Sequence, residues 1–264
     1  MAAKSVNVSA FRFRHVIIGG ILFLLFFLTA LPAWLIPWTL KKTQYNQIVI
    51  NNPSGSLWNG KASGQAEIPI PASPAYILQL DQINWSWKPA RLFAGEIAWD
   101  VLLQNKSAKF IGAVGLGFGG VSLSAAQAEA PAHMITDIFP AAALIKPEGK
   151  LQLSTDGFSL GKNSFSGKAQ LDWRGAEVVM SPVKPLGEYR ALINATGSAA
   201  DLQLSTLSGA LKLNGKGNWT LKDGARFSGT AQSDPAQAAN IDPLLQLMGK
   251  PAFNGAYPLD WPAK

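Results

Sequence analysis

Residues 76–87 read YILQLDQINWSW, and this stretch indicates the kind of fold that the chain adopts beyond its N-terminal segment. Over the second half of the stretch, apolar and polar side chains alternate, so that Ile83, Trp85 and Trp87 share one face. An alternation of period two is typical of an antiparallel strand with one buried face and one face in water. The stretch therefore predicts a half-buried strand with aromatic side chains in its core.

The same alternation recurs downstream, in residues 150–154, 168–173, 201–205 and 210–214. Dipeptides that favour tight turns recur between or within these runs: Asn59-Gly60, Asp156-Gly157, Asn214-Gly215 and Asp223-Gly224. Short alternating strands joined by such turns are typical of hairpins rather than of βαβ units. We therefore predict a mainly β, antiparallel and hairpin-rich domain over residues 41–264, with no linker that divides it.

Two segments, residues 131–145 and 235–249, interrupt the alternation, and each begins with proline. We predict a short helix in each, broken at Pro140 and Pro243 respectively. Two hexapeptides, FSGKAQ at residues 165–170 and FSGTAQ at 227–232, differ at one position. Their offset favours an internal repeat of about 60 residues, although similar hairpin composition in a Gly- and Ser-rich β domain would produce the same likeness.

An apolar segment precedes the β domain. Val16–Trp38 holds 23 residues, and no charged side chain occurs between His15 and Lys41. As a helix this segment would be about 35 Å long, which is sufficient to cross a bilayer. We therefore predict a single transmembrane helix over residues 16–40. The alternative is a cleaved signal peptide, but the apolar run is longer than in typical signal peptides and no convincing cleavage site follows it.

The residues that flank this segment predict how it would sit in a membrane. Trp34 and Trp38 lie near its end, at the depth of the lipid headgroups, where tryptophan is enriched. The flanking basic residues that would contact the membrane interface are Arg12, Arg14, Lys41 and Lys42. The basic tail, residues 1–15, predicts a cytoplasmic N-terminus and places residues 41–264 in the periplasm of a two-membrane bacterium.

Composition excludes several classes of function. The chain has 264 residues and no cysteine, which excludes disulfides, thiolate metal sites and thiol nucleophiles. Its formal net charge of +7 comes almost entirely from residues 1–66, which contain six basic residues and no acidic one. The rest of the chain holds 17 basic and 16 acidic residues, a balance that excludes a nucleic-acid-binding surface.

Motifs for catalysis are weak. Residues 115–120 satisfy G-x-G-x-x-G, but residues 121–124 alternate like a strand, so a hairpin is favoured over a nucleotide site. His133 precedes Asp137 by four residues, yet neither a nucleophile nor a metal partner accompanies the pair, and we interpret His133 as a surface or packing residue. We therefore predict a non-catalytic protein without a cofactor or a metal ion.

The tryptophans outside the alternating runs are candidates for contact with a partner. Trp58 and Trp261 lie near turns, and large aromatic rings often anchor protein interfaces. We predict a partner interface at these two residues.

The order of these features resembles a known family. An apolar span with proline near its exit is followed by GSLWNG at residues 55–60 and WSWKPARLFAG at 85–95. LLQLMG at residues 244–249 and YPLDW at 257–261 follow near the C-terminal end of the sequence. This arrangement is similar to the type II secretion system protein N (general secretion pathway protein N) family. The resemblance implies a single-pass inner-membrane protein with a periplasmic β-rich domain, which supports the export of folded proteins across the outer membrane and has no catalytic residues.

These observations lead to one expected function and one alternative. We expect a scaffold that contacts other inner- or outer-membrane components of a secretion machinery through its sheet and sheet edges. The alternative is a membrane-anchored lipid-binding or lipid-transfer protein, because antiparallel hairpins can form a trough with an apolar face. An open apolar groove would favour the alternative, and a closed core would favour the scaffold.

Overall fold

The fold is described from a computed structural model. The structure describes residues 8–42, 47–68, 75–138, 140–162, 164–220, 222–246, 249–252 and 255–261. For residues 8–14, 138, 140 and 141 it describes the backbone alone.

One antiparallel sheet of 13 strands forms the body of the protein, and each strand pairs with the next one along the chain. The strands are β1 Ile48–Gly55, β2 Asn59–Ile68, β3 Tyr76–Trp87, β4 Glu96–Gln104, β5 Lys109–Gly117, β6 Gly120–Pro131, β7 Glu148–Leu160, β8 Phe165–Glu177, β9 Gly187–Gly197, β10 Ala199–Gly209, β11 Leu211–Thr220, β12 Gly224–Ser233 and β13 Tyr257–Trp261. The prediction of a mainly β, antiparallel domain is confirmed.

The register of the strands sorts the side chains into an apolar and a polar face. One row across β4 to β8 pairs apolar residues: Leu103, Phe110, Ala128, Leu153 and Leu171. The neighbouring row across the same strands pairs polar residues: Gln104, Lys109, Glu129, Gln152 and Asp172. Because successive side chains of a strand point to opposite faces, these rows define the apolar face and the polar face of the sheet.

Connections between strands alternate between the two ends of the sheet, as antiparallel order requires. The near end is the end that carries the β1–β2, β3–β4, β5–β6, β7–β8, β9–β10 and β11–β12 connections. A 3-10 helix, Pro89–Ala94, lies in the β3–β4 connection at the near end, and the far end carries the other connections. There, α3 Met134–Ile138 and a 3-10 helix Pro140–Leu144 join β6 to β7, and α4 Ala238–Gln246 joins β12 to β13.

The two predicted short helices are present, but one predicted break is wrong. Pro140 begins a separate 3-10 helix, as expected, whereas Pro243 lies inside α4. Ile241 and Leu245, on either side of Pro243, are fully buried against the sheet. Burial of these two side chains outweighs the cost of a proline inside a helix, because each contributes about 1.5–3 kcal/mol when removed from water.

Two hydrophobic clusters lie at opposite sides of the sheet in strand order. The C-terminal cluster covers the apolar face with α4 and contains Val178, Leu186, Leu211, Ala231, Ile241, Leu245 and Tyr257. The N-terminal cluster contains Ala33, Leu80, Ile83 and Trp85. The burial of Trp85 confirms the prediction of an aromatic core from residues 76–87.

The segment predicted as one helix over residues 16–40 contains two. Helix α1 spans Val8–Thr29, so part of the predicted tail is helical, and α2 spans Leu35–Lys42. Between them Pro32 forms a β-bridge with Ser56, and the amide of Ala33 donates to the carbonyl of Gly55 at 3.1 Å. The helix predicted over residues 16–40 is therefore not continuous, because Pro32 and Ala33 bind the sheet and because Ala33 is buried in the N-terminal cluster.

Across the described residues, no helix has both the length and the apolar character that crossing a membrane requires.

The turn predictions are confirmed in part. Asp223-Gly224 lies at the β11–β12 turn, and the glycine-rich residues 115–120 form the β5–β6 hairpin. Asn214-Gly215 lies inside β11, and Asp156-Gly157 lies inside β7 at a register irregularity, so both turn predictions were wrong. Gly215 is needed for packing, because a Cβ atom there would lie 2.3 Å from Cζ of Phe227.

The two similar hexapeptides occupy β8 and β12, each of which pairs with the strand before it. Their glycines differ in conformation, since Gly167 has a φ of 134° and Gly229 is not among the glycines with positive φ. The internal repeat stays a prediction.

Candidate interaction surfaces

Among the described residues no group of three His, Cys, Asp or Glu side chains could hold a metal ion. The predicted pair of His133 and Asp137 lies at α3, and Asp137 interacts with the phenol of Tyr76. Burial raises the pKa of Tyr76, and the charge of Asp137 and its hydrogen bond raise it further. The partner of Asp137 is therefore a strand residue, which supports a packing role for this region.

The polar face carries one dense cluster of charges, which sequence analysis missed. Asp172 is only 5% exposed, and Arg190 binds both of its carboxylate oxygens, at 2.7 and 2.8 Å. Arg174 also donates to Asp172, at 2.9 Å, and pairs with Glu188. The hydrogen bond from Arg190 lowers the pKa of Asp172 below its ordinary value, against the effect of burial. Since every charge has a partner, the cluster ties β8 to β9 and leaves no free group for chemistry.

A shallow depression of about 610 Å³ lies beside this cluster on the polar face, across β7 to β11. Its lining includes Lys168, Gln170, Asn194, Asp201 and Lys216. Asn218 donates to Asp201 at 3.0 Å, and the two lysines stand on different strands. Mixed charges and an open shape are typical of a solvated surface rather than of a ligand pocket.

The first outer strand of the sheet, β1, presents an open edge. The amide of Glu67 donates to the carbonyl of Gln47 at 2.6 Å, so Gln47 faces β2. By the alternation of an antiparallel ladder, Ile48 and Ile50 direct their N–H and C=O groups away from β2. In the described part of the chain these groups have no backbone partner on that side. Ile48 and Val49 are also exposed, at 45% and 39%.

The other outer strand, β13, offers fewer backbone groups for pairing along its outer edge than β1 does. The amide of Asp234 donates to the carbonyl of Ala210, so the even-numbered residues of β12 direct their backbone groups toward β11 and the odd-numbered ones toward β13. The residues of β13 that pair with them, Tyr257, Leu259 and Trp261, face β12. Pro258 and Asp260 are therefore the residues whose backbone faces outward. Proline has no N–H group, so this edge offers a single donor, and outward proline is a common protection of edge strands. Trp261, the predicted interface residue on this strand, is 65% exposed.

Trp58, the other predicted interface residue, makes internal contacts. Its indole N–H donates to the carbonyl of Leu28, at the end of α1, at 2.7 Å, and its ring lies 4.6 Å from the ring of Trp87. Trp58 belongs to the turn between β1 and β2, and two further indoles bind this turn. Trp85 donates to the carbonyl of Ser56, and Trp99 donates to the carbonyl of Leu57. The bond from Trp58 ties the end of α1 to the near end of the sheet, and the other two bonds hold the β1–β2 turn. A contact of Trp58 with a partner stays a prediction.

Four of the six predicted membrane-interface residues lie at or after the break between α1 and α2. Trp34 and Trp38 are 58% and 49% exposed, and the ammonium of Lys42 lies 4.1 Å from the ring centroid of Trp38. Lys41 is exposed at the end of α2. Arg12 and Arg14 belong to α1, and their side chains lie outside the described ones. Their contact with a membrane stays a prediction.

The middle of the apolar face is open. Leu153 is 40% exposed, and Phe110, Leu123, Phe158 and Leu171 are each half-buried. None of these side chains belongs to either hydrophobic cluster. We call this region, from β5 to β8, the open strip. Its side chains alternate as in the covered parts of the sheet, but among the described residues no helix covers them.

Comparison with known proteins identifies a family. The family model described as type II secretion system (T2SS), protein N, matches residues 46–260. The match includes the motifs at residues 55–60, 85–95 and 244–249, and it begins after α2. No curated protein matches the chain, and no solved structure matches it either.

Proposed function

Because the chain belongs to the type II secretion system protein N family, we propose that it acts in type II secretion as a non-catalytic scaffold. Membership of the family implies involvement in type II secretion. The observation that carries the scaffold role is the open edge of β1, where Ile48 and Ile50 present unpaired backbone groups beside exposed β-branched side chains. Such an edge can take up an extended segment of a partner as an additional strand.

The contrast between the two edges supports β1 as the docking strand. An open, apolar edge is an aggregation hazard, and proteins usually protect it with proline, charge or a bulge. On β13 the outward positions are Pro258 and Asp260, whereas on β1 the protective features, Pro53 and the register irregularity after Asn51, begin only beyond Ile50. The unprotected half of β1 therefore suits a partner strand from another component of the secretion machinery.

We further propose that the N-terminal segment attaches the protein to the inner membrane, with residues 41–264 in the periplasm. The large apolar side chains from Val16 to Leu28 are all exposed on α1, and charged residues occur only outside this stretch. Attachment would raise the effective concentration of the sheet near other membrane-bound components, so that a weak strand-to-strand contact suffices.

A proline at position 50 tests the scaffold role. Ile50→Pro removes an outward N–H group and leaves the β1–β2 ladder intact, because the backbone of Ile50 faces away from β2. We expect the variant to accumulate secreted enzymes in the periplasm and to lose crosslinks from a photoreactive residue at position 48 to the secretion machinery. Ile50→Ala is the matched control, since it shortens the same side chain but keeps the N–H group.

Circular dichroism of the purified variants must show the same sheet content before secretion is compared. If folded Ile50→Pro supports normal secretion and keeps its crosslinks, β1 is not the docking strand. If folded Asp260→Pro instead accumulates secreted enzymes in the periplasm, the partner binds at β13.

The open strip favours a second candidate function, the binding of a lipid chain. Leu153 and its half-buried neighbours form an apolar surface across four strands, which spans about 15 Å at about 4.8 Å per strand. Mass spectrometry of lipids that copurify with the full chain tests this function. Leu153→Asp should abolish copurified lipid, while Ser154→Asp, the adjacent residue on the polar face, should leave it unchanged. Equal lipid content in both variants would exclude the open strip as the binding surface.

A further inference from the structure

Two aromatic side chains at the near end of the sheet are fully exposed. Phe93, in the β3–β4 connection, is 97% exposed, and Phe118, at the tip of the β5–β6 hairpin, has a relative exposure of 107%. Leu92 and Leu116, beside them in sequence, are each 49% exposed. A benzyl group with this exposure gives little stability to the fold, so both rings are available to contact another surface.

The apolar helix α1 ends at the same end of the sheet. The carbonyl of Leu28 accepts a hydrogen bond from the indole of Trp58, and the carbonyl of Leu31 accepts one from the amide of Leu57, at 2.8 Å. Both donors belong to the β1–β2 connection, which defines the near end together with the connections that carry Phe93 and Phe118. A surface that takes up the exposed side chains of α1 would therefore face these two tips.

The composition of the near-end connections changes with distance from α1. The β3–β4 and β5–β6 connections lie about 10 Å and 19 Å from the β1–β2 connection, at about 4.8 Å per strand. Both are apolar at their tips. The next connections along the sheet are polar, with Lys162 between β7 and β8, Ser198 between β9 and β10, and Lys222 and Asp223 between β11 and β12. Among the described residues, the fully exposed aromatic side chains of the near end thus lie in the two connections nearest to the β1–β2 connection.

Exposed apolar side chains also occur at the far end, where Leu144 is 80% exposed and Val179 is 55% exposed. Exposure alone therefore does not distinguish the two ends. The position of α1 distinguishes them, because strands of nine to 13 residues, such as β5 and β7, hold the far end about 30–40 Å from the near end.

From this arrangement we infer that the near end of the sheet lies against a lipid bilayer, and that Phe93 and Phe118 insert into its interface beside α1. The inference rests on the membrane attachment proposed above. Aromatic and aliphatic side chains partition into the boundary between headgroups and acyl chains. Because they insert at points separate from α1, the two tips fix the tilt of the sheet and hold its far end away from the membrane, toward the periplasmic parts of a partner.

The absence of cysteine from the native sequence makes a depth measurement direct. Four single-cysteine variants of the full chain, Phe23→Cys, Phe93→Cys, Phe118→Cys and Leu144→Cys, are labelled with an environment-sensitive fluorophore. They are reconstituted into vesicles of phosphatidylethanolamine and phosphatidylglycerol, with or without nitroxide-labelled lipid. Phe23 reports on α1, and Leu144 is the matched exposed residue at the far end.

We expect the nitroxide lipid to quench the probes at positions 23, 93 and 118, and not the probe at 144. Quenching at 93 should exceed that at 118, because each strand is rotated by about 20–25° from its neighbour, so the tips rise away from the membrane along the sheet. The substitutions at positions 93 and 118 should not disturb folding, since the native side chains are fully exposed.

Each other outcome overturns the inference in a distinguishable way. Quenching at position 23 alone would leave the membrane attachment standing and refute the insertion of the tips. Equal quenching at 144 and 118 would refute the assignment of the near end. If no probe were quenched, the proposed attachment would fail, and the inference would fail with it.

Discussion

The two covered parts of the apolar face are stabilised by different means. At the C-terminal side, α4 lies in the connection between β12 and β13 and buries Ile241 and Leu245 completely. At the N-terminal side, the cover is the short segment after α1, in which only Ala33 is buried. Tryptophan indoles bind the carbonyl of Leu28, at the end of α1, and two carbonyls of the adjacent β1–β2 turn. The first cover depends on aliphatic packing, and the second depends largely on hydrogen bonds.

The difference between the two covers indicates which strands are coupled to the N-terminal segment and which are not. The C-terminal cluster contains no residue of the N-terminal segment, so its packing does not involve α1 directly. The N-terminal cluster cannot form fully without Ala33, so order in β1 to β4 is coupled to the position of α1. The membrane attachment proposed above would therefore act on the strand that carries the open edge rather than on the strand protected by proline.

The largest effect should follow from truncation in the C-terminal cover. Leu245→Ala removes a fully buried side chain and leaves a cavity between α4 and the sheet. We expect the free energy of unfolding to fall by about 2–5 kcal/mol, as measured by urea denaturation. Leu244→Ala, its half-buried neighbour on α4, should cost clearly less. Equal costs would show that α4 does not pack through Leu245.

The next effect concerns the charge cluster on β8 and β9, which supports the C-terminal half from the polar face. Asp172→Asn should lower the free energy of unfolding by about 2 kcal/mol, less than for a wholly buried pair because both arginines are about one-third exposed. Arg190 lowers the pKa of Asp172 in the folded protein, so the carboxylate stabilises the fold above its ordinary pKa. This contribution is lost as pH falls through the lower pKa of the folded state.

Denaturation measured from neutral pH to below about pH 4 tests this dependence. The native protein should lose stability over the acidic part of the range more steeply than Asp172→Asn. Parallel curves for the two proteins would contradict a stabilising role of the Asp172 carboxylate.

The sequence predicted strands well because alternation is a local property. Residues 76–87 and 168–173 are strands, and Ile83 and Trp85 share the buried face that their spacing predicted. The sequence predicted glycine roles poorly, because Gly215 in β11 is required by the ring of Phe227 on the neighbouring strand. Such a requirement depends on the register between strands, which short-range patterns do not contain.

The candidate surfaces were harder to predict than the strands. The exposure of Trp261 follows from its place on an edge strand, but the order of strands that makes β13 an edge cannot be read from local patterns. The bond from Trp58 to Leu28 joins residues 30 positions apart. The cluster around Asp172 likewise depends on the pairing of β8 with β9, which places Arg190 opposite the carboxylate.

A smaller effect should follow from removing one hydrogen bond in the N-terminal cover. Trp58→Phe loses the donor to the carbonyl of Leu28, while a ring remains to contact Trp87. We expect a loss of about 0.5–1.5 kcal/mol and faster hydrogen exchange at the amide of Leu57, which binds the carbonyl of Leu31. In Trp99→Phe, which loses a bond to the β1–β2 turn and none to α1, the exchange of the Ala33 amide should change less than in Trp58→Phe. The reverse order would show that Trp58 does not hold α1.

The smallest effect is expected between the two covers, in the open strip. Leu153→Ala removes the same atoms as Leu245→Ala, but Leu153 is 40% exposed, whereas Leu245 is fully buried. Because much of the Leu153 side chain already contacts water and no cavity is left behind, the free energy of unfolding should change by about 1 kcal/mol or less. Urea denaturation of the delipidated protein measures this value. A loss as large as that of Leu245→Ala would mean that the middle of the apolar face is covered in solution, and the lipid-binding candidate would then lose the surface on which it depends.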